Sequence, residues 1–254
     1  MNPPGSFFWH DYETFGADPR RDRPAQFGGR RTNADLEPVG EPLVIYCQPA
    51  VDVLPHPDAC LLTGITPQLA QQAGVPEPEF ARRISEAFSV PGTCGAGYNS
   101  IRFDDEVTRH LLYRNFHEPY TREWFGGNSR WDLLDFFRLA HALRPEGMAW
   151  PARADGAPSF KLTDLSAANG IGHEHAHEAL SDVQALVALA KKLKLAQPRL
   201  FDYYLGLRDK RRAAALLDVA NMTPVLHVSG KYSAARGSAA LVAPICRHPQ
   251  IDSR

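Results

Sequence analysis

The chain has 254 residues, is 44% hydrophobic and 22% charged, and carries 28 Lys+Arg against 29 Asp+Glu for a formal net charge of -1. That balance supports a sizeable buried core and excludes both a disordered polyelectrolyte and a protein that coats nucleic acid with its whole surface. A polyanion would have to meet a local patch. No apolar run approaches the length of a membrane span. The N-terminus MNPPGSFFWHDYE has no basic region and runs directly into acids, so it does not read as a signal peptide. Cys47, Cys60, Cys94 and Cys246 are far apart and form no C-x-x-C, which suggests reduced thiols in a cytoplasmic protein.

In chain order, residues 6–13 (SFFWHDYE) predict a strand that ends in carboxylates. Residues 24–49 predict two further strands, with a turn near Asn33–Asp35 and an apolar run from Leu43 to Tyr46. Helices are expected over 66–73 and 77–88, the second on the spacing of Phe80, Ile84, Ala87 and Phe88. A short strand with two glycines follows at 94–98. Helices are then expected over 104–116, 131–143, 162–168 and 178–195. Strands first and helices alternating later indicate an α/β domain with a mixed sheet flanked by helices, ending near Pro198. Residues 199–217 read as a basic helical connector with Arg208, Lys210, Arg211 and Arg212. Residues 225–242 read as two short strands, the incomplete start of a second, β-rich domain over 199–254.

Three constellations can carry chemistry. In Asp11-Tyr12-Glu13 both carboxylates point to one face of a strand, with Phe7 and Trp9 behind them. Like charges that close need a proton or a cation, and a hard cation such as Mg²⁺ suits oxygen ligands. A solvated strand end is the plain alternative. In Asp104-Asp105-Glu106 acids open a helix, where they commonly complement the dipole; that account covers Asp105 and Glu106. Asp104 instead shares the stripe of Val107 and Leu111 that should pack on the sheet, and a carboxylate there needs a partner. In the third, Asp182 borders the apolar face Val183, Leu186, Val187 and Ala190. His177 lies five residues earlier, about 140° around a regular helix, and reaches the same site only from the loop entering it. There it suits a general base for water. His173, His175 and His177 also form a rival H-x-H-x-H zinc motif, and a polar loop is the plain alternative.

The order and spacing of these groups resemble the DnaQ-like exonucleases, which have four carboxylates, a histidine base and a ribonuclease-H-like fold. FFWHDYETFG, DRPAQFGGRRT, LLTGITPQ, GYNSIRFDDEVTRHLLYRNF, NSRWDLLD, ALRPEG, KLTDLSAANGI, QPRLFDYYL and LHVSG resemble the bacterial exodeoxyribonuclease I family, over nearly the whole chain and beyond the catalytic positions. The resemblance implies a 3′→5′ exonuclease that releases 5′-mononucleotides from single-stranded DNA, in repair and recombination. It implies metal ligands Asp11, Glu13 and Asp182, with Asp104 completing the carboxylates and His177 activating water. Two Mg²⁺ ions are implied, with Mn²⁺ as a substitute, and Glu13 also contacts the substrate.

Substrate binding should combine cations for phosphates with aromatic faces for bases. The resemblance points to Arg109, Tyr120, Trp124 and Arg138 along the DNA path and to Lys161 near the terminal nucleotide. Trp124 read alone could equally be a core aromatic, and Arg109 and Arg138 ordinary helix-surface charges. Family members continue into a complete SH3-like domain and a helical domain that close a clamp and help dock the single-stranded-DNA-binding protein. The sequence stops at Arg254, early in that second domain, so processivity and that docking stand in doubt. A monomer is expected. Two other functions stay open: a nuclease of the same fold acting on RNA or proofreading substrates, and a DNA-binding fragment without activity.

Overall fold

The computed structural model describes residues 4–172 and 178–250. Three strands open the chain: β1 (Ser6–Thr14), β2 (Pro24–Thr32) and β3 (Leu43–Tyr46). β1 pairs antiparallel with β2 in a register that sets Asp11 opposite Gly28 and Glu13 opposite Gln26, and β2 pairs antiparallel with β3. Three helices follow, α1 (Pro57–Thr63), α2 (Pro67–Ala73) and α3 (Glu77–Phe88), and then β4 (Thr93–Gly97), which runs parallel to β1. After α4 (Asp104–Arg114) comes β5 (Ser129–Asp132), parallel to β4. The resulting mixed sheet has the order β3-β2-β1-β4-β5, with β1 at its centre.

β1 alternates cleanly. Phe7 and Trp9 face a core built with α5 (Leu134–Leu143), α7 (Ala179–Ala196) and α8 (Pro198–Gly206), where Phe136, Val183, Leu186, Leu189 and Phe201 are buried. Phe8 and Tyr12 face the opposite core, with Phe80, Ile84 and Phe88 of α3 and Val107 and Leu111 of α4. The sheet is therefore a central layer with helices on both faces, as the alternating strand and helix pattern predicts. α6 (Leu162–Ala168) packs beside α7.

Pairing between β1 and β4 ends at Trp9↔Ala96, while β1 continues to Thr14. Residues 11–14 of the central strand thus outrun their parallel neighbour. The strand's far edge is open there to the start of α4, and this overhang is what the site is built on.

Several elements differ from the sequence expectation. Residues 131–143 do not form one helix: Trp131 and Asp132 belong to β5, and α5 starts at Leu134. α1 was not foreseen, although Pro57 after the His56 cap and a left-handed Gly64 (φ 70°) are ordinary helix start and stop signals. The connector after Pro198 is two helices. α8 buries Phe201, and α9 (Lys210–Ala215) starts afresh at the Asp209 cap, carrying Lys210, Arg211 and Arg212. β6 (Val225–Val228) and β7 (Ala239–Val242) form a separate antiparallel pair that lies against α5. Among the described residues no helix is long and apolar enough to cross a membrane.

Candidate active site

The β1 overhang carries Asp11 and Glu13 toward the N-terminus of α7. There one carboxylate oxygen from each of Asp11, Glu13 and Asp182 lies within 4.8 Å of the others. α7 is brought in by close contact with β2. The Ala179 amide donates to Gln26 Oε1 at 3.1 Å, and Gly28 has no side chain to hold the helix off. Asp182 sits one turn into that docked helix.

Asp104 arrives from the other edge of the overhang. It is buried, and its Oδ1 accepts the Tyr12 amide at 3.1 Å, a group that β4 no longer reaches. The Tyr12 and Thr108 hydroxyls meet at 3.0 Å, and Thr108 donates back to the Asp104 carbonyl at 2.8 Å. The structure thus brings together four of the five residues expected to be catalytic. His177, with His173 and His175 of the rival zinc motif, lies outside the described residues.

The electrostatics of this cluster are unfavourable to the bare protein. Burial, followed by the charges of Asp104, Glu13 and Asp182, pushes the Asp11 carboxyl well above the usual range. Burial, followed by Asp182 and Asp104, pushes Glu13 up to about 8. Burial and neighbouring Asp105 raise Asp104 well above its ordinary value. Crowded anionic oxygens of this kind suit a divalent cation, which would relieve the repulsion that now favours protons. The donor set therefore fits a divalent metal site.

Asp105 does more than complement the helix dipole, the role expected of it. It is 1% exposed, and Arg122 Nη2 donates to its Oδ1 at 2.8 Å while Arg130 Nη1 meets Oδ2 at 3.3 Å. Burial alone would raise its carboxyl, but the arginines, Arg122 first, outweigh burial and hold it below the ordinary value. His10 stands 3.9 Å from the same carboxylate, and burial lowers its ring to about 4, so it is neutral there.

The expected substrate-binding residues fall into two groups. Tyr120 and Trp124 are exposed, with Phe125, also exposed, packed edge-on against Trp124. Trp124 is therefore not a core aromatic. Arg109 lies over the Tyr120 ring at 5.1 Å, and its guanidinium is gripped by Glu106 and, through two 2.8 Å bonds, by Glu123. Arg138 pairs with Asp135 at 2.6 Å and lies 5.9 Å from the Phe160 ring, beside the exposed Lys161 that precedes α6. Sequence reasoning missed the wall facing Glu13. An open cavity of about 450 Å³ runs from Tyr12, Glu13 and Thr14 to His56, Leu62 and Phe103. Its sequence signals were the cap and proline of α1 and the family-like LLTGITPQ stretch that carries Leu62 and Thr63.

Residues 8–190 match the family model described as Exonuclease, and residues 208–254 match that of the Exonuclease I SH3-like domain. The chain is 54% identical over 245 residues to Exodeoxyribonuclease I of Escherichia coli (strain K12), covering 96% of this chain and 52% of that protein. It is 52% identical over 244 residues to Exodeoxyribonuclease I of Haemophilus influenzae, covering 96% and 52%. The chain thus spans about half the length of the curated relatives it matches. Its fold is similar to that of E. coli Exonuclease I in complex with a dA16 oligonucleotide, at a TM-score of 0.96 and 54% identity over 97% of this chain and 53% of that one. It is also similar to the zinc-ion-bound form of the E. coli exonuclease I–single-stranded DNA complex, at a TM-score of 0.95 and 53% identity over 98% and 53%. With the family model spanning most of its length and the central sheet superimposing on solved relatives, the chain belongs to the exonuclease family and has its ribonuclease-H-like fold.

Proposed function

We propose that the protein removes 5′-mononucleotides from the 3′ end of single-stranded DNA by metal-dependent phosphodiester hydrolysis. The observation that carries this reading is the acidic cluster. Asp11, Glu13 and Asp182 converge within 4.8 Å, with buried Asp104 beside them, where crowding and burial raise the Asp11 and Glu13 carboxyls and a divalent cation would relieve the repulsion. The similarity to exodeoxyribonucleases I, one of them solved with a dA16 oligonucleotide, supports single-stranded DNA as the substrate.

Asp11, Glu13 and Asp182 would hold two Mg²⁺ ions, with Mn²⁺ as a substitute, and the bound metal would supply positive charge for polarising water and the scissile phosphate. Asp104 adds its charge beside them, held against Tyr12. His177, two residues before α7 in the sequence, would take the proton of the attacking water. Glu13 borders both the cluster and the cavity that ends at Leu62 and Phe103, which supports a role in seating the terminal nucleotide with apolar walls for its base. Lys161 and Arg138 would meet phosphates on one side. Tyr120 and Trp124 would offer faces to upstream bases, with Arg109 holding the Tyr120 ring. In this reading the nuclease domain runs to the end of α8 rather than to residue 198, because Phe201 lies in its core.

The test is digestion of 5′-labelled single-stranded DNA and RNA of one sequence by the purified chain, with Mg²⁺ or with a chelator. A ladder shortening from the DNA 3′ end, abolished by chelation, is expected. Equal digestion of RNA would move the substrate class. A folded protein that binds DNA but releases no nucleotide in Mg²⁺ would leave a binding fragment in its place.

A further inference from the structure

Helix α4 begins at Asp104 without a side-chain cap. Phe103 precedes it with φ -128° and ψ -73°, and its side chain accepts no hydrogen bond. Something else must set where the first turn sits, because Asp104 works only if its carboxylate reaches the β1 overhang. The fixed point is Asp105. Its amide donates to the Ser100 carbonyl at 2.8 Å. Its carboxylate and its backbone carbonyl are both gripped by one atom, Arg122 Nη2, at 2.8 and 3.3 Å.

The Arg122 side chain is only 4% exposed, and its guanidinium lies 4.9 Å from the centre of the Phe88 ring. It is enclosed by the α3 side of the core and has no route to substrate. Successive side chains on a helix diverge by about 100°. Clamping Asp105 toward Arg122 and Arg130 therefore turns Asp104 toward Tyr12. We propose that Arg122 is a positioning residue of the site: by anchoring Asp105 from behind, it holds the neighbouring Asp104 carboxylate against the β1 overhang, facing Asp11, Glu13 and Asp182. The role rests on the exonuclease reading of that cluster and adds to it a group that touches neither substrate nor metal.

The surrounding contacts sharpen the expected signature. Arg109 and Tyr120 are held by Glu123, which also receives Arg130 Nε at 3.3 Å. Arg122 lies in the same segment, between Tyr120 and Trp124, with its Nη2 3.6 Å from Glu123, so its loss removes one tie on the exposed aromatics while the Arg109 and Arg130 ties to Glu123 remain. The chemical step should therefore suffer more than substrate affinity.

The experiment compares the wild-type chain with Arg122→Gln, Arg122→Lys and the double variant Arg122→Gln/Asp105→Asn. The double variant is included because a neutral amide pair spares the fold a buried carboxylate that Arg122→Gln leaves with Arg130 but without its shorter arginine bond. Steady-state hydrolysis of single-stranded DNA and hydrogen exchange at the Tyr12 amide are read for each. In Arg122→Gln and the double variant, kcat should fall at least tenfold, and by more than any rise in KM. Arg122→Lys keeps the cation but loses the guanidinium's fork and its stacking on Phe88, so it should recover only part of the loss. Tyr12 amide protection should fall at least tenfold in the two Gln-containing variants, while amides in the β1–β2 ladder keep theirs. Either folded Gln-containing variant with wild-type kcat and wild-type Tyr12 protection overturns the proposal, as does a rise in KM that exceeds the loss of kcat. A wild-type chain that hydrolyses nothing would instead overturn the exonuclease reading, and Tyr12 protection would still decide whether Arg122 positions Asp104.

Discussion

The backbone amide of Tyr12 donates to the Asp104 carboxylate at 3.1 Å across 92 positions of sequence. One carboxylate thus closes an open strand edge and stands beside the acidic cluster. The two roles separate by substitution. Asp104→Asn keeps an oxygen for the Tyr12 amide and removes the charge. Hydrolysis should fall by roughly 10²–10³, the range for loss of one preorganised electrostatic group. Thermal stability should hold or rise, since burial and Asp105 already disfavour the ionised form. A variant with wild-type turnover would remove Asp104 from the catalytic set.

Asp182→Ala takes one oxygen donor from the cluster and should remove nearly all hydrolysis at saturating Mg²⁺ while DNA binding persists in chelator. His177→Ala should lower the rate by roughly 10²–10⁴ and leave Mn²⁺ affinity unchanged, the pattern of a base that is not a ligand. Calorimetric titration of both variants with Mn²⁺ separates the roles. Collapse of binding in His177→Ala would revive the three-histidine zinc motif.

The raised carboxyls fix the sign of the pH dependence. Glu13 moves from 4.5 to about 8 in the folded state, and Asp11 moves in the same direction, both chiefly through burial. Between those limits the folded chain holds protons that the unfolded chain has released. The contribution to stability is full below the unfolded pKa and is lost as pH rises through the folded one. The metal-free Tm should therefore fall from roughly pH 5 to 8, and the rise in Tm on adding Mg²⁺ should grow over the same range. Scanning calorimetry in chelator and in Mg²⁺ measures both. A flat metal-free profile would contradict the crowding of this cluster.

Gly28 faces Asp11 across the strand pair, and a Cβ there would come within 2.5 Å of the Ala179 carbonyl carbon and the Leu180 nitrogen. Backbone cannot step aside as a flexible side chain can. Gly28→Ala should cost about 1–3 kcal/mol of stability through overpacking. It should also lower hydrolysis more than tenfold by moving Asp182 away from Asp11. Unchanged Tm and unchanged turnover would show that α7 has slack against β2.

Much of this was readable because local periodicity and burial agree. Alternation along β1 put Asp11 and Glu13 on one face, and the Val107–Leu111 stripe singled out Asp104 as a carboxylate at the edge of a buried surface. Asp105 was misread because its partners, Arg122 and Arg130, come from a loop and from β5, and no spacing along the chain announces a tertiary ion pair. β5 was hidden for a related reason. It has four residues, and Trp131 continues an apolar pattern that the following helix also satisfies. The cavity wall of α1 was missed because a seven-residue helix with no buried residues leaves no amphipathic trace, only the cap and proline at its start and the glycine at its end.

The docking of α7 on β2 has a consequence in time. Ribosomes synthesise chains from the N-terminus at about 5–20 residues per second, so on the order of ten to thirty seconds separate Asp11 from Asp182. Through that interval a nascent chain carries the first two carboxylates without the third, and Gln26 still lacks the Ala179 amide that will seat the helix. Ribosome-bound chains halted before residue 182 should therefore cut no DNA, whereas chains halted well beyond residue 206, with α8 folded against its core, should. Cleavage by the shorter set would mean that two strand carboxylates and Asp104 suffice. Otherwise the proposed hydrolysis stays off on the ribosome until the last helix of the core has closed over the sheet.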